Sequence, residues 1–161
     1  MTRPRQRRKR ALPAAGWVLA AGVTLAAGLP PASAQRIMQD WHTGLALYGV
    51  DPVAYYTDAK PLIGRANLEY SYGGATWRFR NSGNRAAFTD NPDVYMPRFG
   101  GHDPMAVARG VNMPGHPDFW VIAAGGLYLF ANPENRGAFA ADPQKAIAAA
   151  TARWSEVERS P

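Results

Sequence analysis

The stretch Leu68-Glu69-Tyr70-Ser71-Tyr72 alternates apolar and polar residues, and so does Ala75-Thr76-Trp77-Arg78-Phe79-Arg80. A period of two predicts strands, and Gly73-Gly74 between them supplies the positive φ of a tight hairpin. Phe119 to Ala123 and Leu127 to Phe130 bracket Gly125-Gly126 in the same way, which predicts a second hairpin. Asn81 or Ser82, and Asn132-Pro133, then open short helices that carry Phe88 and Phe139 inward and end near Pro92 and Pro143. Asp51-Pro52 and Asp103-Pro104 fit helix starts, with aspartate as N-cap and proline at the first helical position. Gly110 would stop the second of these. From Asp142-Pro143 through Trp154 the chain is alanine-rich, predicting a last helix packed through Ile147 and Trp154.

These elements come twice. Gly49-Val50-Asp51-Pro52-Val53-Ala54 returns as Gly101-His102-Asp103-Pro104-Met105-Ala106, an offset of 52. Phe79 to Phe88 returns as Phe130 to Phe139 at an offset of 51, which the pairs Gly74/Gly125 and Pro92/Pro143 share. Matched Gly, Pro, Asn, Arg and Phe positions in one order indicate a duplicated unit, with copies over about 45–97 and 98–154.

Charge changes the picture only once it is located. The chain has a formal net charge of +6, but all of that excess sits in residues 1–10, at Arg3, Arg5, Arg7, Arg8, Lys9 and Arg10. From Gln35 onward the charges balance, so the basic footprint that nucleic acid requires is missing. Behind the arginines, Ala11 to Leu29 runs 19 residues without a charge, and Pro30-Pro31 precedes Ala32-Ser33-Ala34. A basic start, an apolar run and an A-x-A motif in that order predict a secretory signal peptide over 1–34, with the working domain over 35–161. The paired arginines also admit a twin-arginine route. The competing reading is a retained anchor, because 19 residues approach the length of a spanning helix, although Pro13 and the glycines weaken it. Membrane contact is expected only through such an uncleaved segment, and the periplasm or the extracellular space is the expected location.

The chain contains no cysteine. No disulfide staples the fold, and no thiolate serves as nucleophile or as a ligand for zinc. The segment from Gln35 is long enough to bury a core unaided.

At the repeated residues the sequence resembles the YHS domain family. Asp51-Pro52-Val53 matches that family's D-P-V-C-G-M knuckle, Gly74 to Phe79 its G-x-x-Y-x-F hairpin, and Phe79 to Phe88 its F-C-S-x-x-C-K-x-x-F run into a helix, with Asn91 to Tyr95 closing the unit. The second copy matches through Asp103-Pro104-Met105 and Phe130 to Phe139, ending at Asp142-Pro143. Together the matches cover nearly all of residues 45–154, and the opening is similar to that of an exported, YHS-like subgroup. The resemblance implies an α+β fold of two tandem units, each a knuckle or short helix, a hairpin and a helix, packed as one domain. It puts the metal-binding cysteines of thiolate-bearing members at Ala54, Arg80 and Asn84, and at Ala106, Ala131 and Asn135. Every thiolate position is lost, so duplication and a large set of aromatic residues are expected to replace the metal as the source of stability.

Candidate chemistry is sparse. Asn84-Arg85 and Asn135-Arg136 recur at former ligand positions, and with Arg80 they could hold an anion or a partner's carboxylate. The plainer reading makes the asparagines helix caps and the arginines snorkelling surface residues. His102, Met105, Met113 and His116 are the densest group of possible metal ligands, and imidazole with thioether suits copper outside the cytoplasm. Against that, Met105 sits at a core-filling spacing and His116 lies between Gly115 and Pro117 in an expected turn. No nucleophile–base pair or phosphate-cradling loop stands out, so an enzyme is not expected. The sequence thus predicts an exported, non-catalytic binding or accessory module for an unknown protein or small-molecule partner. Copper handling and a structural, protein-interacting role are the alternatives.

Overall fold

Both hairpins form where the sequence predicts them. The computed structural model describes residues 36–160, which belong to one compact unit, and the expected signal peptide over 1–34 lies outside these residues. In chain order the elements are α1 (Ala54–Thr57), β1 (Arg65–Tyr72), β2 (Ala75–Phe79), α2 (Ser82–Asp90), α3 (Pro92–Tyr95), α4 (Pro104–Val107), β3 (His116–Ala123), β4 (Gly126–Phe130), α5 (Pro133–Ala141) and α6 (Pro143–Val157). Short 3-10 turns precede α1 and α4, at Leu47–Gly49 and Arg98–Gly101. The fold is α+β, with two separate antiparallel hairpins, β1-β2 and β3-β4.

The duplication is visible in the register. In β1-β2 the pairing slips between Arg65 and Glu69, and in β3-β4 it slips between the equivalent His116 and Trp120. Parallel bridges Leu45↔Thr76 and Pro97↔Leu127 also correspond, as do Val50↔Ile63 and His102↔Pro114. Asn81 and Asn132 cap their helices alike, each accepting from the amide three residues on, at 2.8 Å. Phe88 and Phe139 are fully buried, as the sequence predicts. Phe88 lies with its ring centre 4.9 Å from Trp77 and 5.3 Å from Phe79, and Phe139 lies 5.0 Å from both Tyr128 and Phe130. Truncating either phenylalanine to alanine costs about 3–5 kcal/mol.

The copies part company at β4. β2 reads Ala-Thr-Trp-Arg-Phe and buries one face, whereas β4 reads Gly-Leu-Tyr-Leu-Phe and is buried throughout. A continuous apolar run is what a strand covered on both faces needs. Leu127 and Leu129 enter the first core with Trp77, Phe79 and Phe88, while Tyr128 and Phe130 enter the second with Phe99 and Phe139. β4 therefore partitions the two cores and joins the copies into one body. Tyr55 adds to the joint: its hydroxyl donates to the Pro117 carbonyl at 3.0 Å, and its ring meets Trp120 edge-on.

Several boundaries differ from expectation. The second turn is Ala124-Gly125, with φ of 47° and 72°, and not Gly125-Gly126, because Gly126 is already paired with Ala123 in the ladder. His116 opens β3 opposite Phe130 and is not in a turn, since the bulge lets the strand start three residues before Phe119. In the first copy α1 begins at Ala54, so Asp51 and Pro52 precede the helix, whereas Asp103 and Pro104 cap and start α4 as expected. α6 runs on to Val157, which is buried in the second core.

Candidate functional site

Asp51 and Asp103 are both fully buried. A carboxylate survives burial only if its lone pairs are met by donors, and here each aspartate binds its own knuckle and the helix after its hairpin. Asp51 accepts from the Val53 amide at 2.9 Å, the Arg80 amide at 2.8 Å and Asn84 Nδ2 at 2.7 Å. Asp103 accepts from the Met105 and Ala106 amides at 2.8 and 3.3 Å, the Ala131 amide at 2.8 Å and Asn135 Nδ2 at 2.6 Å. The Val53, Arg80 and Asn84 donors recur on the repeat as Met105, Ala131 and Asn135, and the Ala106 amide is an added donor in the second copy. Asn84 and Asn135 thus each give an Nδ2 donor to a clamp, and the helix caps are Asn81 and Asn132.

The arginines expected beside them are not gathered. Arg80, Arg85 and Arg136 are exposed and form no side-chain hydrogen bond or ion pair among the described residues. Of Arg80, only the backbone amide takes part in a clamp.

The His and Met group is spread over different surroundings. His102 is 5% exposed, its ring 5.6 Å from that of Trp154. Its Nδ1 lies 2.9 Å from the Phe99 carbonyl, which can only accept, so that nitrogen carries the proton. Burial is the main cause holding its pKa below the usual histidine value, and nearby Arg36 adds to the effect while Glu158 opposes it. Met105 packs on the second core beside a groove of Ala108, Ala138 and Ala146. His116 is exposed at the start of β3, where its Nδ1 accepts from the Asp118 amide at 3.2 Å. Met113 offers its carbonyl to the Asp103 amide, at 2.9 Å. Among the described residues no three His, Cys, Asp or Glu side chains stand together in a group that could hold a metal ion.

A different place combines space with unspent polar groups. Between the turn at Arg98–Gly101, strand β4 and helix α6 lies an open cavity of about 560 Å³, lined by Arg98, Phe99, Tyr128, Ile147, Trp154 and Glu158 among others. Its aromatic wall is continuous: the Phe99 ring lies 6.2 Å from that of Tyr128 and 5.6 Å from that of Trp154. Tyr128 is 4% exposed. No fully buried side-chain oxygen or nitrogen lacks a partner among the described residues, and the Tyr128 hydroxyl forms no hydrogen bond with them, so this hydroxyl opens on the cavity. Burial raises its pKa, with the Arg98 guanidinium opposing, so it stays a protonated donor at neutral pH.

Arg98 is held in place by an absence. A methyl group at Gly126 would come within 2.6 Å of Arg98 Nε and 2.8 Å of its Cγ, so only glycine lets the arginine lie across the start of β4. The cavity was not among the sequence expectations. It is assembled from a turn, a strand and a helix some 30 and 60 residues apart. One signal was present: in the first copy the matching residues are Ala46, Ala75 and Trp77, where the second has Arg98, Gly126 and Tyr128.

No family model, curated protein or solved structure matches this chain.

Proposed function

We propose that this chain is an exported, YHS-like binding module that takes a small ligand in the cavity between β4 and α6 and carries out no catalysis of its own. The observation that carries the reading is the unspent chemistry of that cavity. Elsewhere in the described residues the buried polar groups hold the fold, whereas the Tyr128 hydroxyl and the Arg98 guanidinium hold nothing and share one aromatic-lined space. Its volume falls in the range of small-molecule sites.

The Asp–Asn clamps support the resemblance from another side. They join the knuckle to the helix in each copy, as a metal held by thiolates at Ala54, Arg80 and Asn84 would. The basic and apolar N-terminus supports delivery to the periplasm or beyond.

The test uses the chain expressed with its own N-terminus and purified from the compartment that holds it. Its mass should correspond to a start at Gln35, and its melting temperature should be unchanged by EDTA or by Cu(I) and Cu(II). Small amphipathic compounds should protect amides of β4 and α6 from hydrogen exchange. A melting temperature raised by copper would replace this reading with metal handling, and protection confined to other surfaces would remove the cavity from it.

A further inference from the structure

We propose that the ligand of this cavity is a small organic anion, with an oxyanion head bound by Arg98 and Tyr128 and a flat apolar body lying on Phe99, Ile147 and Trp154. The inference deepens the binding-module reading and rests on it.

The polar groups decide the sign of the ligand. A guanidinium offers donors only, in a planar fork that fits a carboxylate, and a protonated phenol adds one more. Arg98 has no acidic partner among the described residues. Arg98 and Tyr128 line the same cavity. The one acid on the wall, Glu158, is engaged: its Oε1 accepts from the Arg36 amide at 3.1 Å, and the Arg36 side chain anchors alongside on the Ser160 carbonyl at 2.8 Å. Thr151 is engaged too, donating to the Ile147 carbonyl. Arg98 and Tyr128 supply the cation and a donor on this wall, which favour an anion beside them, while Glu158 keeps its charge and its second oxygen.

The body of the ligand follows from the rings. Phe99 and Trp154 meet edge-on at 64° and Ile147 lies beside them, so this part of the lining is apolar.

The duplication supplies a comparison within the molecule. Residues that hold the fold are kept in both copies: Asp51 and Asp103, Asn84 and Asn135, Phe88 and Phe139. Those at the cavity changed together. Ala46 and Ala75 are buried in the first core, and their counterparts Arg98 and Gly126 form a cation and the space that admits it. Trp77 spends its indole nitrogen on the Tyr72 carbonyl at 3.0 Å, and its counterpart Tyr128 keeps its hydroxyl for the cavity. The three exchanges together bring a cation and a hydroxyl to the wall of one cavity.

The experiment titrates the protein, as purified above, with benzoate, benzamide and benzylamine, three probes of one shape and different charge. The readout is the Trp154 indole resonance, assigned with Trp154→Phe. Benzoate should bind about ten-fold more tightly than benzamide, the worth of a charge-assisted hydrogen bond, and benzylamine should bind most weakly. Arg98→Met keeps the apolar stem and should erase the preference for benzoate. Tyr128→Phe should weaken benzoate several-fold and benzamide by less, since a carboxylate is the stronger acceptor. Equal binding of benzoate and benzamide, or tighter binding of benzylamine, overturns the anion while leaving the cavity a binding site. If none of the probes moves the Trp154 resonance of the folded protein, both the anion and the cavity reading fail.

Discussion

Asn84 donates through Nδ2 to the buried carboxylate of Asp51 at 2.7 Å, and Asn135 repeats the contact with Asp103 at 2.6 Å. The aspartate orders its own knuckle through backbone amides and reaches the helix after the hairpin through the asparagine. Two segments separated by some 30 residues are thereby locked by hydrogen bonds.

Removing the carboxylate is therefore expected to cost more than removing the amide. Asp51→Ala strands the Val53 and Arg80 amides and the Asn84 side chain, and should destabilise the fold by about 3–4 kcal/mol. Asn84→Ala leaves the carboxylate its two backbone donors and should cost about 2 kcal/mol. Urea denaturation of the single and double variants checks this, and a double variant no worse than Asp51→Ala is the expected sign of coupling. Strictly additive losses would mean that the two side chains act independently.

The second turn places a residue with a Cβ where φ is 47°, at Ala124, while the first has Gly73 at 62°. A left-handed conformation costs an ordinary residue about 1–2 kcal/mol, part of which glycine's greater unfolded-state entropy offsets. Ala124→Gly should stabilise the protein by about 0.5–1 kcal/mol. A raised urea midpoint with an unchanged slope is the expected result.

A matched pair of left-handed residues gives a reciprocal prediction. Tyr48 and Gly100 occupy equivalent places, with φ of 53° and 60°. At Gly100 the Arg36 carbonyl fills the space of a Cβ, and the Met38 amide donates to the Gly100 carbonyl at 2.7 Å, so residues 36–38 cross at contact distance. Gly100→Ala should displace that segment and cost about 2–3 kcal/mol, with hydrogen exchange rising first at Met38. Tyr48 faces solvent at 45% exposure, so Tyr48→Gly should relieve strain and leave stability equal or higher.

Much of this fold is legible in the sequence because its signals are local. Asn81 and Asn132 cap where an asparagine before a helix should, and the alternation of the first hairpin and the glycines between the apolar runs of the second locate both. Repetition then shows that Asp51, Asn84, Phe88 and their counterparts matter, without saying how. The pairing of Asp51 with Asn84 is a tertiary contact, and no periodicity encodes it. The same limit explains the other departures. Asn84 looks like a cap because asparagine near a helix start usually is one, and here Asn81 had already met that need. His102 and His116 look like a group because they are near in sequence, yet one is buried against α6 and the other faces solvent on β3. The cavity was hidden because Arg98, Tyr128 and Trp154 meet only after β4 is set between the two cores. Its trace lay in the places where the second copy differs from the first.

His102 sets the response to acid. Burial depresses its pKa, Arg36 depresses it further, and the Phe99 carbonyl and Glu158 only partly oppose this. The unfolded chain therefore takes up a proton near the ordinary histidine value of 6.5 while the folded protein still refuses it. A depressed folded pKa means that the stabilising contribution is fully present above pH 6.5 and declines as pH falls below it towards the folded value. The urea midpoint should accordingly drop between pH 7.5 and 5.5, a window above the range in which carboxylates titrate. His42 and His116 are exposed. His102→Gln should be less stable at pH 7.5, having lost the bond to Phe99 in its original geometry, but its midpoint should stay nearly level across the window. A wild-type midpoint that stays level or rises on acidification would show that His102 is protonated in the folded state. Glu158 would then outweigh burial, and the end of α6 would be held by an ion pair rather than by a neutral ring.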